Sequence, residues 1–275
     1  MIHVLTKAAL KIIFFLKEIF LLNKVGENAI SIGKLPSLYA LRFFPKTNFI
    51  APFALGRTIR GLSFSKNLMK DPFGRVCSDL VHKKSIDGFA ENLYEAYLHE
   101  KGTSVSDLLG LPNDNNRENF PSWSLVLPWD ELSLEEKQKN YSNAFITNRS
   151  SNGHNFSSGE LFYSLEGAES QAHQTYKLYE SIVLNGIKTS NKWPRINILI
   201  DGDKWVWMMS GEGNHRAYLF YLFGEEKIYS QIDQVVKKQD SSKWPNVINN
   251  TYSREEAELI FDRAFNGSSP VRGIV

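Results

Sequence analysis

The sequence contains a single cysteine, Cys77, among its 275 residues. An intramolecular disulfide needs two cysteines and a cysteine-based zinc cluster needs more, so both are excluded. The scarcity of cysteine favours a reducing, cytosolic setting. The chain also lacks an internal repeat and a sustained heptad pattern, which excludes solenoid and coiled-coil architectures.

The N-terminal segment lacks an apolar run of the roughly 20 residues that a membrane-spanning helix needs. Lys17 and Glu18 separate its two apolar runs, 12–16 and 19–22. It also lacks a small-residue cleavage site after one continuous apolar core, which argues against a signal peptide. Residues 1–25 predict a basic amphipathic helix. Two interpretations stay open, docking on the protein's own core and in-plane attachment to a membrane.

Acidic residues are scarce in the first 60 positions, where Glu18 and Glu27 stand against nine lysines and arginines. The net charge of the whole chain is only +2, so this basic character is local. Such a region favours an anionic partner: lipid headgroups, nucleic acid or a phosphorylated substrate. Arg57, Arg60 and Arg75 are candidates for phosphate contacts, with a solvated basic surface as the alternative.

Composition divides the chain into four parts. These are the amphipathic helix 1–25, a helical and irregular region 26–146, a polar loop or linker 147–160, and a C-terminal domain 161–275. Prolines exclude a long helix between residues 26 and 75, and the linker is rich in Asn, Ser and Gly. Apolar runs of both strand and helix character predict a mixed α/β (α+β) fold.

Shorter signals predict local structure. Helix starts are marked at Ser104 or Ser106, at Ser133 with Glu136, and at Ser253 with Glu256. A helical pattern from residue 160 to 184 ends at Asn185 and Gly186, a typical C-terminal cap. The apolar run 124–127 predicts a short strand.

The stretch 178–229 contains the densest functional signals. The runs 196–200 and 205–209 flank the turn signal Asp201-Gly202-Asp203 and predict a β-hairpin. An apolar helix is predicted over 217–223, stopped by Gly224, and a strand begins at residue 228. Between hairpin and helix lies the hexapeptide Gly211-Glu212-Gly213-Asn214-His215-Arg216.

This hexapeptide has the properties of an anion-binding turn. Its glycines let the backbone turn tightly and approach a ligand closely. The first helical amides have no intrahelical acceptor, and the positive end of the helix dipole lies behind them. Arg216 adds a fixed cation in the same turn, so the hexapeptide predicts a site for a phosphate or another anion.

Each side chain of the hexapeptide also has a structural interpretation. In this interpretation, Glu212 stabilises the helix N-terminus electrostatically and takes no part in a reaction. Asn214 is a common N-cap residue, and His215 is a candidate for a hydrogen-bonded structural histidine. Arg216, if it binds no ligand, needs a carboxylate partner.

Several of these features occur in an order that resembles a known superfamily. They are the helix Leu178-Tyr179-Glu180-Ser181-Ile182 followed by Asn185-Gly186-Ile187, the strand 196–200, and the turn Gly-Glu-Gly-Asn-His-Arg-Ala before an apolar helix. The combination, over residues 165–235, resembles the ParB/sulfiredoxin-like domain superfamily. The resemblance implies a small mixed sheet, preceded here by a mainly helical, basic N-terminal region. A weaker similarity, through Asp71-Pro72-Phe73, 108–111 and Pro128-Trp129, is to uncharacterised ParB-like proteins encoded among surface-polysaccharide genes.

The superfamily includes several chemistries. Sulfiredoxin-like enzymes have a cysteine directly before His-Arg, and Asn214 in that position argues against sulfinic acid repair. ParB partition proteins continue with a helix-turn-helix and a dimerisation segment. Only about 45 residues follow Gln231, with no such pair, so DNA binding is not expected. A nuclease is disfavoured because no carboxylate cluster would hold two metal ions.

The free serine kinase branch matches the turn best, with Glu212 in place of its aspartate. That resemblance implies an ATP- or ADP-dependent phosphotransferase with a hydroxyl-bearing or saccharide acceptor. The nucleotide would be ATP, ADP or CTP, with Mg²⁺. The weaker similarity described above implies a role in surface-polysaccharide biosynthesis. Glu212 would accept the acceptor's hydroxyl proton or bind Mg²⁺, and His215 would donate to a non-bridging phosphate oxygen. The implied phosphate and nucleotide contacts are Gly211, Gly213, Asn214, His215, Arg216, Ser181 and Gly186.

Two classes of function stay open. The first is this enzyme, acting on a nucleotide and a small-molecule acceptor. The second is a non-catalytic, nucleotide-dependent binding module or ParB-like regulator associated with DNA or a membrane. The expected location is the cytoplasm, with the inner face of the membrane as the alternative if residues 1–25 attach there.

Overall fold

The computed structural model describes residues 30–31, 48–101, 103–112, 117, 119–143, 164–187, 193–211 and 213–268. The strands are β1 (Ile30–Ser31), β2 (Asn48–Pro52), β3 (Gly56–Arg57), β4 (Arg195–Asp201), β5 (Lys204–Met209) and β6 (Lys227–Lys237). The α-helices are α1 (Phe64–Asn67), α2 (Pro72–Lys83), α3 (Phe89–Lys101), α4 (Val105–Leu109), α5 (Leu134–Asn143), α6 (Leu165–Asn185), α7 (Asn214–Leu222), α8 (Pro245–Ile248) and α9 (Arg254–Asn266). Short 3₁₀ segments lie at Phe53–Leu55, Leu68–Lys70, Ser122–Ser124 and Lys238–Lys243.

The described strands form one mixed sheet in the order β1-β2-β6-β4-β5-β3. β6 pairs antiparallel with β2 and parallel with β4, and β5 pairs antiparallel with β4 and parallel with β3. The predicted hairpin is confirmed as β4–β5, where Ile198 lies opposite Trp207. The predicted mixed α/β class is confirmed as well.

Strands from the predicted helical and irregular region join this sheet. β2 pairs with β6, and β3 pairs with β5, so residues 48–57 share a sheet with residues 195–237. These strands were not predicted, because β3 is only two residues long and β2 ends in a proline. The predicted linker 147–160 lies outside the described residues.

Helices cover both faces of the sheet. Side chains alternate between the faces along each strand. Ile196, Ile198 and Trp207 point to one face and pack with α2, α3, α6 and α7. Leu199 and Met208 point to the other face and pack with α4, α9 and the segment 125–134. The connection from β5 to α7, which contains the hexapeptide, leads to the first of these helical layers.

Most of the predicted helix ends are confirmed. Ser104 caps α4, and Ser253 with Glu256 forms a reciprocal capping box at α9. Ser133 and Glu136 exchange the same pair of hydrogen bonds before α5. α6 ends at Asn185 with Gly186 as its C-terminal cap.

The strand predicted over residues 124–127 is wrong. Ser122–Ser124 is a 3₁₀ turn, and the residues after it follow no regular structure. Side chains satisfy the carbonyls that a strand would have paired. Tyr252 Oη donates to Val126 O at 2.6 Å, and Lys137 Nζ donates to Leu125 O. These partners lie far along the chain or on a helix, so the local sequence did not reveal them.

For Arg57, both the phosphate-contact and the solvated-surface predictions are wrong. Its side chain is buried and donates to Ala264 O and Phe265 O, at the C-terminal end of α9, and to Gly56 O. The guanidinium therefore gives a partner to Phe265 O at the end of a helix. It also adds a second bond to Ala264 O, which accepts from Gly267 N as well. Asn67 Nδ2 donates to Gly267 O, directly after α9. Arg57 and Asn67 therefore both form hydrogen bonds at the C-terminal end of α9.

In the part of the chain that the structure describes, no helix is both long enough and apolar enough to span a membrane. The predicted amphipathic helix 1–25 lies outside these residues.

Candidate functional site

The hexapeptide forms a tight turn between β5 and α7. Gly211 has a φ of 134° and Gly213 a φ of 89°, which side-chain-bearing residues rarely adopt. A Cβ on Gly213 would also lie 2.7 Å from the Cα of Pro194, so the backbone here has no room for a side chain. Both glycines are therefore required by the turn itself. Glu212, between them, lies outside the described residues.

α7 begins without a side-chain cap. Its N-cap is Gly213, and the first intrahelical bond runs from Ala217 N to Gly213 O at 3.0 Å. The amides of Asn214 and His215 precede that bond and have no intrahelical acceptor. By contrast, the caps of α2, α4, α6 and α9 are side chains, those of Asp71, Ser104, Ser164 and Ser253.

Asn214 closes the turn rather than capping the helix. It is the first helical residue, and its Nδ2 donates to Gly211 O at 2.6 Å. Its Oδ1 is buried without a hydrogen-bond partner among the described residues, and so is Ser210 Oγ one residue before the turn. The turn thus keeps two buried polar atoms that its own neighbours do not satisfy.

His215 is held between α6 and α2. Its Nδ1 lies 2.8 Å from Thr175 Oγ1, and its ring centroid lies 4.6 Å from that of Phe73. Burial lowers the pKa of His215 from 6.5 to about 4. The imidazole is therefore neutral at physiological pH.

Arg216 lies in the first turn of α7 and is partly buried. Burial lowers the pKa of Arg216 below its ordinary value, because the guanidinium has lost part of its hydration. An arginine nevertheless stays charged at neutral pH. Its charge therefore adds to the positive end of the helix dipole in a partly desolvated position.

Ser181 and Gly186 do not lie at this turn. His215, at the start of α7, contacts Thr175, whereas Phe223, just past its end, stacks on Tyr179. Residues beyond Tyr179 therefore lie toward the far end of α7. At the rise of an α-helix, Ser181 is about 9 Å and Gly186 about 16 Å along the axis from Thr175.

A second buried polar group lies one helical turn further along α7. Tyr218 Oη donates to Asp71 Oδ2 at 2.8 Å, and Asp71 Oδ1 accepts from the amides of Phe73 and Gly74. Burial, together with Asp71, raises the pKa of Tyr218 well above its ordinary value, while the nearby charge of Arg60 lowers it. This network fixes the start of α2 against α7 and thereby positions Phe73 beside His215.

Sequence analysis did not identify the contacts of His215. Thr175 lies on the buried stripe of α6, between Ala172 and Tyr179. A hydroxyl on an otherwise apolar stripe was a usable signal, since buried polar groups need partners. No local signal could reveal that Phe73 faces His215, because tertiary packing alone brings α2 and α7 together.

Within the described ranges, no group of three or more His, Cys, Asp or Glu side chains could hold a metal ion. Glu212, the predicted Mg²⁺ ligand, is not among those residues.

Comparison of the chain with protein-family models, with curated protein sequences and with solved structures gave no match in any of the three. The ParB/sulfiredoxin-like resemblance therefore stays a prediction.

Proposed function

We propose that the chain binds a small phosphate-bearing molecule at the Gly211–Arg216 turn. The observation that carries this proposal is the start of α7, where a glycine N-cap leaves the helix dipole without a side-chain cap and Arg216 lies in the first turn. Anions are stabilised at helix N-termini, where amide groups point outward. The glycine backbone lets a ligand approach those amides closely.

The contacts are sufficient for moderate affinity. A phosphate at this turn would accept from the amides of Asn214 and His215 and face the Arg216 guanidinium. Hydrogen bonds to charged groups contribute about 1.5–3 kcal/mol each. Two of them, with one guanidinium, correspond to dissociation constants of about a millimolar or below.

A phosphotransferase is the enzymatic form of this proposal. Glu212 would accept the proton of a hydroxyl-bearing or saccharide acceptor, or bind Mg²⁺, while ATP, ADP or CTP supplies the phosphoryl group. The order of hairpin, glycine turn, helix and strand supports a ParB/sulfiredoxin-like fold. A role in surface-polysaccharide biosynthesis depends only on the weaker sequence similarity through Asp71-Pro72-Phe73, 108–111 and Pro128-Trp129.

A non-catalytic nucleotide-binding module is the second candidate, and a specific observation favours it. With a pKa of about 4, His215 is a weak proton acceptor at neutral pH. General acid–base catalysis is most effective when the pKa lies near the working pH. A protein that binds a nucleotide and responds by a change in assembly needs no such group.

The proposed location is the cytoplasm, supported by the single cysteine. Attachment of residues 1–25 to the inner face of the membrane is the alternative. It predicts that deleting these residues moves the protein from the membrane pellet to the supernatant after lysis. A deletion variant that pellets as the full chain does would contradict attachment.

Thermal unfolding with added ligands tests the binding proposal. The ligands are inorganic phosphate, ATP, ADP and CTP, each with and without Mg²⁺, and the variants are wild type, Arg216→Ala and Arg254→Ala. Arg254 is the matched control because it is an exposed arginine in the first turn of α9, which Ser253 caps. A ligand at 100 times its dissociation constant adds about 2.7 kcal/mol to the free energy of unfolding.

We expect at least one ligand to stabilise wild type and Arg254→Ala but not Arg216→Ala. If a ligand stabilises all three proteins equally, its binding site lies away from this turn. If no ligand at tens of millimolar raises the thermal stability of wild type, phosphate binding at this turn is refuted.

A further inference from the structure

A chain of hydrogen bonds from α6 determines which nitrogen of His215 carries its proton. Thr175 Oγ1 lies 2.7 Å from Gln171 O and 2.8 Å from His215 Nδ1. Thr175 is completely buried, so water does not compete for these contacts. A threonine hydroxyl has one proton and can donate only once.

The carbonyl of Gln171 takes that proton. A carbonyl oxygen can only accept, and two oxygens 2.7 Å apart repel each other unless a proton lies between them. Donation from Thr175 to the carbonyl four residues earlier is a common arrangement in helices. Thr175 Oγ1 must then accept from His215, which places the imidazole proton on Nδ1. In the neutral ring, Nε2 is left with a lone pair and no proton.

His215 is partly buried, and two sides of its ring are in contact with other helices. Nδ1 is engaged with Thr175 on α6, and Phe73 on α2 covers one ring face. Among the described residues, Nε2 has no hydrogen-bond partner. The backbone amide of the same residue belongs to the uncapped start of α7. His215 therefore carries both a backbone donor at the start of α7 and a ring acceptor without a partner among the described residues.

We infer that Thr175 is a positioning residue that holds His215 in its Nδ1-protonated form, and that His215 Nε2 accepts a hydrogen bond from a hydroxyl of the bound ligand. This inference rests on the proposed function. It specifies the ligand as a phosphate ester with a hydroxyl close to the phosphate, as in polyol and sugar phosphates. An ionised phosphate oxygen cannot take the place of that hydroxyl, because it has no proton to donate to the lone pair of Nε2. The donation from His215 to a phosphate oxygen that the resemblance implies would require a proton that Nε2 lacks.

The protonated nitrogen can be measured without any ligand. The ¹⁵N chemical shifts of the imidazole distinguish a protonated from an unprotonated ring nitrogen. We expect Nδ1 to be protonated in wild type and in Thr175→Ser, which keeps the hydroxyl, and a mixture of both forms in Thr175→Val. A proton on Nε2 in wild type would overturn the inference, whether or not Thr175→Val folds.

Two matched ligands test the hydroxyl contact. Glycerol 3-phosphate and propyl phosphate carry the same charge and a three-carbon chain, but only the first has hydroxyls. One added hydrogen bond predicts about threefold to tenfold tighter binding of glycerol 3-phosphate by wild type and Thr175→Ser. Thr175→Val should lose most of this preference while still binding propyl phosphate.

The outcomes separate the two proposals. If wild type binds neither ester, the proposed function fails and the ligand part of the inference fails with it, while the chemical shifts still decide the role of Thr175. If wild type binds both esters equally with the proton on Nδ1, phosphate binding stands and the hydroxyl contact is refuted.

Discussion

The N-termini of α7 and α9 differ in how the backbone amides of the first helical turn are paired. Side chains cap these amides at α9, and no side chain caps them at α7. At α9, Ser253 Oγ accepts from Glu256 N at 3.1 Å, and Glu256 Oε2 accepts from Ser253 N at 2.9 Å. Acidic side chains in its first turn complement the dipole. At α7 a glycine takes the place of the cap, and Arg216 carries a positive charge where acidic residues are preferred. The start of α9 is built for stability, whereas the start of α7 leaves its amides to solvent or to a ligand.

The cap of α9 is also part of a buried ion pair. Arg117, which is 1% exposed, donates to both carboxylate oxygens of Glu256 at 2.6 and 2.9 Å, and to Thr251 O. Glu256 therefore connects α9 to Arg117 as well as capping the helix. At the start of α7 the ionisable group in the interior is instead His215, which is partly buried and neutral. Three predictions sharpen this contrast.

The largest expected effect is at the cap of α9. Glu256→Ala removes half of the capping box and leaves the guanidinium of Arg117 buried without its carboxylate. Breaking a buried pair in this way costs about 3–5 kcal/mol. Chemical denaturation should show that loss, whereas Glu255→Ala, an exposed acid in the same turn, should stay within about 0.5 kcal/mol of wild type. A loss below about 1 kcal/mol for Glu256→Ala would contradict a structural role for the pair.

A pH-dependent loss of stability is expected from His215. Its pKa is about 4 in the folded chain against an ordinary value of 6.5, so the unfolded chain binds the proton first as the pH falls. The stability from the neutral ring is complete above pH 6.5 and is lost progressively between 6.5 and 4, by about 3 kcal/mol.

Unfolding measured from pH 7 to 4 should reveal that loss in wild type and a shallower curve in His215→Gln. His173→Gln is the control, because His173 is exposed on the same helix as Thr175. Parallel curves for wild type and His215→Gln would show that His215 does not titrate in this way.

The smallest of the three effects concerns the turn glycines. Gly213 and Gly224 have almost the same φ, 89° and 90°, but only Gly213 has a neighbour, Pro194, where a Cβ would lie. Replacing Gly224 by Ala should cost about 1 kcal/mol from backbone strain alone. Gly213→Ala should cost about 1–2 kcal/mol more, from the contact with Pro194. Equal thermal midpoints for the two variants would mean that Pro194 gives way.

The predicted elements that the structure confirms depend on short-range signals. The turn Asp201-Gly202-Asp203 between two apolar runs is enough to specify the β4–β5 hairpin. Ser253 and Glu256, three residues apart, are enough to specify the start of α9. The glycines of the hexapeptide likewise predicted a turn that other residues could not form. In each case the residues that give the signal are within four positions of one another.

The interactions that the sequence did not reveal join distant segments. From the sequence, Arg57 was expected to be a basic surface residue. In the fold, the C-terminal carbonyls of α9 lie beside its guanidinium. The sequences of β2 and β3 show no alternation of apolar and polar residues. These segments become strands only because their backbones pair with β6 and β5. The contact between Thr175 and His215 has the same origin, since it requires α6 to cross the start of α7.

The amino-acid sequence alone determined the glycine turn, the helix that follows it and the cation in that helix's first turn. These are properties of backbone conformation and of hydrogen bonds between near neighbours, which a local sequence specifies. Only the tertiary structure decided that His215 is neutral, which of its nitrogens carries the proton, and that Ser181 and Gly186 lie away from the turn. Burial and partner geometry set those properties, and both depend on segments that meet only when the chain has folded.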